Sequence, residues 1–165
     1  MRILILSLGF GLKEHNLFGP LSETFLELAN LGHQLVVVSR DINSQSAKDY
    51  YDCANGGSVK VVKLTQPKGK LKYIFPIQIY QVLQRLHKEH NFNLVYSHIL
   101  PFMTVPALFF KSRNNIKHIY WVCSHWIPFD SKFKNSYKKL LQKTIQYYTD
   151  LVLTCTEYCR LSDHK

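Results

Sequence analysis

Two histidines follow strand-like apolar runs, at positions where a parallel α/β sheet would present chemistry. His98 comes directly after residues 94–97, and His125 comes shortly after residues 118–123. Ligands of open α/β sheets bind at the carboxyl ends of the strands, so we expect both imidazoles at the same sheet edge. An imidazole there could hold or move a proton near neutral pH. A structural role explains His98 alone about equally well, but two histidines at two strand ends favour a site.

The loop after the first strand-like run is a second candidate, as a phosphate site. It ends at Gly19 and Pro20, where a helix is predicted to begin. Backbone amides and the positive end of a helix bind phosphate, and glycine allows a close approach. The loop is not a P-loop, since no Gly-Lys-Ser/Thr follows, and Gly9-Phe10-Gly11 lacks the third glycine of the dinucleotide fingerprint. A turn that binds nothing fits the segment about as well.

The cysteines and histidines do not predict metal chemistry. They form no compact set with the spacing of a zinc site. No C-x-x-C pair occurs, so the thiols are predicted to be reduced, as in a cytoplasmic protein. The four cysteines are Cys53, Cys123, Cys155 and Cys159.

The charge balance indicates anionic partners. Lys and Arg number 21 against 11 Asp and Glu, a formal net charge of +10, which favours phosphates, nucleic acid or acidic lipid. Nucleic acid ranks low because no helix-turn-helix, RNA-recognition or zinc signature is present. The apolar runs at 3–8 and 99–110 are too short to cross a bilayer, so neither a signal peptide nor a membrane span is predicted.

One segment combines basic and aromatic residues. Residues 132–143 are rich in lysine and follow Trp126 and Phe129, a combination that suits an anionic bilayer surface. The alternative is a solvated helix face whose other side packs on the sheet, and as a complete explanation it is preferred about two to one. The residues then predicted to pack are Leu140, Leu141, Ile145 and Tyr148.

The positions of these candidates depend on an alternation of strands and helices. Runs rich in β-branched residues predict strands at 2–8, 34–39, 59–64, 94–97, 118–123 and 151–154. Several are apolar throughout, which is typical of strands buried on both faces. Helical periodicity falls between most of them, at about 20–31, 76–90, 101–112 and 132–148. The pattern predicts an α/β domain: a doubly wound, mostly parallel Rossmann-like sheet with helices on both faces.

The apolar spacing predicts which helix faces are buried. The first helix would end at Gly32, and residues 41–58 would form a polar surface connection with a short helical turn near 47–51. In the first helix the predicted buried residues are Leu21, Phe25, Leu28 and Leu31. In the second they are Ile79, Val82, Leu83 and Leu86.

The length predicts one domain. At 165 residues the chain is long enough for one such sheet and too short for two. We therefore expect a single domain over residues 1–165. Enzymes of this architecture usually place their chemistry in a cleft between two domains, and one domain would supply one wall of it.

These blocks, taken in order, resemble the N-terminal, acceptor-side domain of the family-four retaining glycosyltransferases, which have the two-domain GT-B architecture. The resemblance covers nearly the whole chain. The most specific parts are a helix-Leu-Gly-His-strand passage over residues 25–38 and an Asp-Leu-Val-Leu-Thr passage over residues 150–154. It also rests on Phe18-Gly19-Pro20, on the sequence 94–98 and on Ser124-His125-Trp126.

The resemblance implies roles for individual residues. Gly19 would approach the diphosphate of a nucleotide-sugar donor, and His125 would be the catalytic residue at the sugar-transfer site. His98, Ser124 and Trp126 would bind substrate. Pro20 departs from the family pattern, which commonly has a second glycine there, and it has no backbone N–H to donate to a phosphate. No tightly bound cofactor is implied, since the donor is a substrate.

Two functions remain open at this point. The first is the acceptor-binding half of a nucleotide-sugar-dependent glycosyltransferase that transfers a hexosyl group to a sugar or lipid-linked acceptor. In the family a C-terminal domain binds the donor and carries a glutamate pair; this domain is absent from the sequence, so the chain would be inactive without it. The second is a noncatalytic binding or scaffold module that uses its basic face for a membrane surface or a partner protein. Either would be cytoplasmic, with a peripheral position at the inner face of the membrane as a variant.

Overall fold

The computed structural model describes residues 1–7, 9–10, 19–40, 48–65, 67, 74–98, 101–122 and 132–154. The strands in this part of the chain are β1 Arg2–Ser7, β2 Gln34–Arg40, β3 Tyr50–Asp52, β4 Ser58–Leu64, β5 Leu94–His98, β6 Lys117–Val122 and β7 Leu151–Thr154. The α-helices are α1 Gly19–Asn30, α2 Phe75–His90, α3 Pro101–Asn114 and α4 Lys132–Tyr148. The predicted limits of the four helices, and of every strand except β3, are confirmed to within two residues at each end.

The strands form a single sheet in the order β3-β4-β2-β1-β5-β6-β7. All neighbouring strands are parallel except β3 and β4, which are antiparallel. In the centre of the sheet, Leu4 of β1 lies opposite Val36 of β2 and Val95 of β5. The predicted fold class, a doubly wound and mostly parallel α/β sheet, is therefore confirmed.

The central strands are buried on both faces because their successive side chains point to opposite sides of the sheet. On β1, Leu4 and Leu6 join a core cluster with residues of α2 and α3. Ile3 and Ile5 join a second cluster, on the face covered by α1. This two-sided burial explains why β1 reads as a continuous apolar run.

Helix α1 is fixed at its end by two glycines. Gly32 has a φ of 87°, in the left-handed region where glycine is favoured, so it ends the helix as predicted. A Cβ on Gly57 would overlap the backbone oxygen of Ala29, so glycine allows the chain before β4 to pass against the helix. The prediction that Leu31 is buried is wrong: it is 71% exposed. Leu31 is exposed because it follows the last residue of the helix, Asn30. The buried side of the helix runs instead from Phe25 to Ala29.

The segment predicted as a surface connection, residues 41–58, lies at the surface over most of its described part, but it contains a strand instead of the expected helical turn. Tyr50–Asp52 forms the edge strand β3, paired with Ser58–Lys60, and a short 3-10 helix covers Ala54–Gly56. The expected helical turn near 47–51 does not form over the described residues of that span. Pairing with the exposed edge of β4 satisfies the backbone of this segment instead.

Helix α4 packs on the sheet through fewer residues than expected. Ile145 is fully buried and Leu141 is partly buried. Leu140 and Tyr148 are 66% and 59% exposed, so their predicted burial is wrong. Leu140 is one position away from the buried side of the helix, and Tyr148 is the last helical residue, with its ring against Tyr147. Over the described residues, no helix combines the length and apolar character needed to cross a bilayer.

Candidate functional site

The topology has its switch point between β1 and β5, where ligands of this fold class bind. From β1 the chain moves to β2 and β4 on one side, and it then returns to β5 on the other side. Helices that follow two neighbouring strands in opposite directions diverge at this switch point, so a crevice opens at the carboxyl ends of the strands. Ser7 ends β1 and His98 ends β5. The predicted location of His98 at a strand end is therefore confirmed.

His98 is held at this edge by aromatic rings. Its imidazole lies 4.8 Å from the Trp121 ring, and the Trp121 ring lies 6.3 Å from that of Tyr96. Tyr96 in turn makes an edge contact with Phe25 of α1, at 5.8 Å between ring centres. The row of rings connects His98 to the helix that begins on the other side of the crevice. It limits the orientations that the imidazole can take.

The protonation state of His98 follows from its burial. The residue is 5% exposed, and this desolvation lowers the pKa of its imidazole to about 4. The ring is neutral at physiological pH, with one nitrogen as donor and the other as acceptor. It can therefore exchange hydrogen bonds with hydroxyl groups, whereas it carries no charge for a phosphate.

The other side of the crevice is the start of α1. Gly19 is the first residue of this helix, so the prediction that a helix begins there is confirmed. As the chain leaves β1, the Ser7 hydroxyl donates to the Gly9 carbonyl over 2.8 Å, and the buried Phe10 ring meets the Tyr51 ring at 5.6 Å. The contact of Gly19 with a donor diphosphate stays a prediction.

Ser124, His125 and Trp126 lie outside the described residues, and their roles stay predictions. The strand before them, β6, pairs with β5 so that Trp121 is opposite His98. β6 ends at Val122, two residues before Ser124. The chain thus leaves the sheet beside His98.

The sequence interpretation missed a buried histidine, His118. It is 0% exposed, and its Nε2 lies 2.7 Å from the Ser97 Oγ while its Nδ1 lies 3.2 Å from the Thr149 Oγ1. Burial, followed by the positive charge of Lys111, lowers its pKa to about 4, with Asp150 opposing the shift. Local sequence gave no signal, because the residue lies within an apolar run and its partners belong to distant segments.

An ion pair joins this network to α3. The Asp150 carboxylate accepts from the His118 backbone N–H and from the Lys111 ammonium, each at 2.8 Å. Lys117 approaches the same carboxylate to 3.6 Å. Burial alone would raise the pKa of Asp150, but the hydrogen bonds and the charges of Lys111 and Lys117 outweigh it, so the pKa is lowered.

Metal and thiol groups contribute little to the described site. No cluster of three or more His, Cys, Asp or Glu suited to a metal ion occurs among the described residues. Cys53 is a free thiol away from the carboxyl edge, and burial, with the neighbouring Asp52 charge, raises its pKa. The remaining cysteines lie outside the described residues.

The fold has relatives among solved glycosyltransferase-type structures. Sucrose-phosphate synthase from Thermosynechococcus elongatus superposes with a TM-score of 0.60 at 11% identity, over 92% of this chain and 42% of that chain. A shorter form of the same protein gives a TM-score of 0.62 at 11% identity, over 97% of this chain and 79% of that one. A trehalose-6-phosphate protein from E. coli, bound with UDP-2-fluoro glucose, gives 0.59 at 12% identity, over 99% and 42%.

These likenesses establish the fold, which is the Rossmann-like half of a GT-B architecture. This chain spans about 42% of the length of the first and third of those proteins. No curated protein sequence matches it. The family model for Glycosyltransferase Family 4 matches residues 22–161, a span that includes His98 and His125 and begins after Gly19. Because that match covers most of the sequence, the chain belongs to Glycosyltransferase Family 4.

Proposed function

We propose that this chain supplies the acceptor side of a nucleotide-sugar-dependent glycosyltransferase. The observation that carries the proposal is the position of His98 at the switch point of a Family 4 domain. There the buried neutral imidazole ends β5, and the neighbouring strand β1 is the one that leads to α1. A neutral ring suits an uncharged sugar hydroxyl, and a helix start suits a diphosphate.

The end of β5 and the start of α1 have different roles in this proposal. His98, with Ser124 and Trp126, binds the acceptor, while His125 contacts the reacting sugar. The amides at Gly19 approach the donor diphosphate, with Pro20 supplying no N–H. A donor-binding domain, joined to this chain or provided by a partner, completes the cleft. In this account the anomeric configuration of the donor is retained.

The experiment compares the chain alone with the chain joined to a donor-binding domain. Both are incubated with UDP-glucose, UDP-N-acetylglucosamine and GDP-mannose, and nucleotide release and sugar transfer are measured. We expect turnover only in the joined protein. A joined protein that neither binds nor consumes any of these donors would contradict the proposal and would favour the noncatalytic binding module.

Variants then test the individual residues. His98→Ala and His125→Ala are each expected to lower kcat/KM of the joined protein about a hundredfold, the effect of losing one well-placed polar group. His90→Gln is the matched control, because His90 is a partly buried histidine at the last residue of α2. Equal activity of the His90 and His98 variants would show that His98 has no part in transfer. The product's anomeric configuration, read by NMR, tests retention separately.

A further inference from the structure

An apolar groove lies on the outer surface between α2 and α3, on the opposite side of the sheet from α1. Its volume is about 600 Å³. The groove is lined by Pro76, Ile77, Tyr80, Val105, Pro106, Phe109, Ser112 and Arg113. None of these residues belongs to the crevice at the carboxyl edge, so the groove needs an explanation of its own.

The rims of this groove carry large apolar side chains that the fold leaves in water. Phe109 of α3 is 68% exposed and Ile77 of α2 is 59% exposed. Single exposed apolar residues are ordinary, but two that line one apolar groove from opposite helices are typical of an interaction surface.

The charges around the patch are mostly positive. Arg113 lies in the groove lining itself, and Arg85 and Lys88 are exposed on α2. Glu89 is the only acidic residue in the sequences of α2 and α3, and its carboxylate is 3.8 Å from the Lys60 ammonium. The α2–α3 face therefore combines protruding apolar groups with an excess of cations.

We propose that the α2–α3 face docks onto an anionic lipid bilayer. Ile77 and Phe109 enter the boundary between headgroups and acyl chains, and Arg85, Lys88 and Arg113 reach the lipid phosphates. The net charge of +10 for the whole chain adds long-range attraction to a negative surface. A bilayer fits better than an acidic protein because the apolar groups protrude on both rims of an open groove, which requires no partner of matching shape.

This surface differs from the one that the sequence suggested. In the sequence, the membrane alternative, which was the less favoured of the two, concerned the basic helix α4. Within residues 140–148 of α4, Leu140 and Tyr147 are exposed, but Lys143 is the single basic residue there. The helix carries four further lysines, at positions 132, 134, 138 and 139, so α4 is the surface with which the α2–α3 face is compared in the test. The proposal is independent of transferase activity, because lipid binding is measured without donor or acceptor.

The test is cosedimentation of the full chain with vesicles. We expect the chain to pellet with mixed phosphatidylcholine and phosphatidylglycerol vesicles, and to remain in solution with phosphatidylcholine alone. Arg85→Gln and Arg113→Gln should each lower the partition coefficient about fivefold. Ile77→Ser and Phe109→Ser should each lower it about tenfold. These side chains are exposed, and an unchanged Tm verifies that each variant is folded.

The comparison variants on α4 are Leu140→Ser with Tyr147→Ser, and separately Lys138→Gln, Lys139→Gln and Lys143→Gln combined, which should lower partitioning less than the α2–α3 variants do. A larger loss from the α4 variants than from the α2–α3 variants would overturn the proposal. Absence of binding to anionic vesicles at low salt would also overturn it. A dimer in solution that Phe109→Ser dissociates would assign the face to a second copy of the chain.

Discussion

Two histidines on neighbouring strands, His98 and His118, are both buried but lie at different positions in the sheet. His98 ends β5, and His118 is the second residue of β6. Burial lowers the pKa of each imidazole to about 4. His118 shares the Ser97 side of the sheet, with Thr149 at its other nitrogen, whereas His98 meets Trp121 on the side of α1.

The difference shows which observation identifies a site. Both histidines have a buried ring and a low pKa, so neither property distinguishes a functional histidine from a structural one. His118 has polar groups at both ring nitrogens and lies away from the carboxyl edge. His98 is at the switch point of the sheet, where ligands of this fold class bind. Position within the topology therefore assigns His98 to the crevice and His118 to the support of β5 and β6.

The largest expected effect is on stability, from His118→Ala. The substitution removes a fully buried ring and leaves the Ser97 hydroxyl without its buried partner. We expect a loss of about 3 kcal/mol in the free energy of unfolding, measured by urea denaturation at pH 7. His98→Ala should cost about half as much, because its position at the sheet edge allows water to replace the ring. Equal or reversed losses would contradict the distinction between the two residues.

Acidification should destabilise the protein through both histidines. Each has a folded pKa of about 4, below the ordinary 6.5. Unfolding therefore takes up protons between these two values, so stability is present above pH 6.5 and is lost as the pH falls toward 4. At pH 5 the loss relative to pH 8 is about 2 kcal/mol for each histidine.

Urea denaturation at pH 8, 6 and 5 measures this loss. His98→Gln and His118→Gln should each remove one histidine's share of the decline, and the lowered pKa of Asp150 leaves a smaller decline at more acidic pH. Should only His118→Gln flatten the curve, His98 would be hydrated at the sheet edge, and the similarity between the two sites would be lost.

Elements with a pattern of their own were predictable from the sequence. The parallel strands are apolar because they are buried on two faces, so β1, β2 and β7 were found with nearly their observed limits. The edge strand β3 was missed. It has three residues, and it forms because the edge of β4 offers hydrogen bonds, which a local pattern does not reveal.

The candidate site was predictable to a smaller extent. The rule for strand ends found His98, because it depends only on the order of elements. Trp121 and His118 were not recognised as part of the site. Each lies within a strand and contacts a residue of another strand, His98 for Trp121 and Ser97 for His118. The apolar spacing of the helices wrongly predicted burial of Leu31 and Leu140. Exposure at these positions depends on where the helix ends and on how it is oriented toward the sheet.

A smaller effect is expected from the ion pair that supports His118. Lys111→Met removes the contact with Asp150 at 2.8 Å and the hydrogen bond to the Tyr148 carbonyl. Both charged side chains are partly exposed, so solvent screening limits the loss to about 1 kcal/mol in unfolding free energy. A double-mutant cycle with Asp150→Asn measures the coupling. A coupling near zero would show that the network at His118 depends on its neutral hydrogen bonds alone.

The smallest expected effect concerns the ring beside His98. Burial sets the low pKa of this imidazole, and Trp121 is the aromatic neighbour at 4.8 Å. Trp121→Leu admits water at the carboxyl edge, so the pKa of His98 should rise toward its ordinary value while the pKa of His118, on the opposite face, stays low. An NMR titration of the imidazole resonances follows both groups in one sample. A parallel rise at His118 would mean that the two faces of the sheet are coupled through β5, and that the roles assigned to the two histidines are not independent.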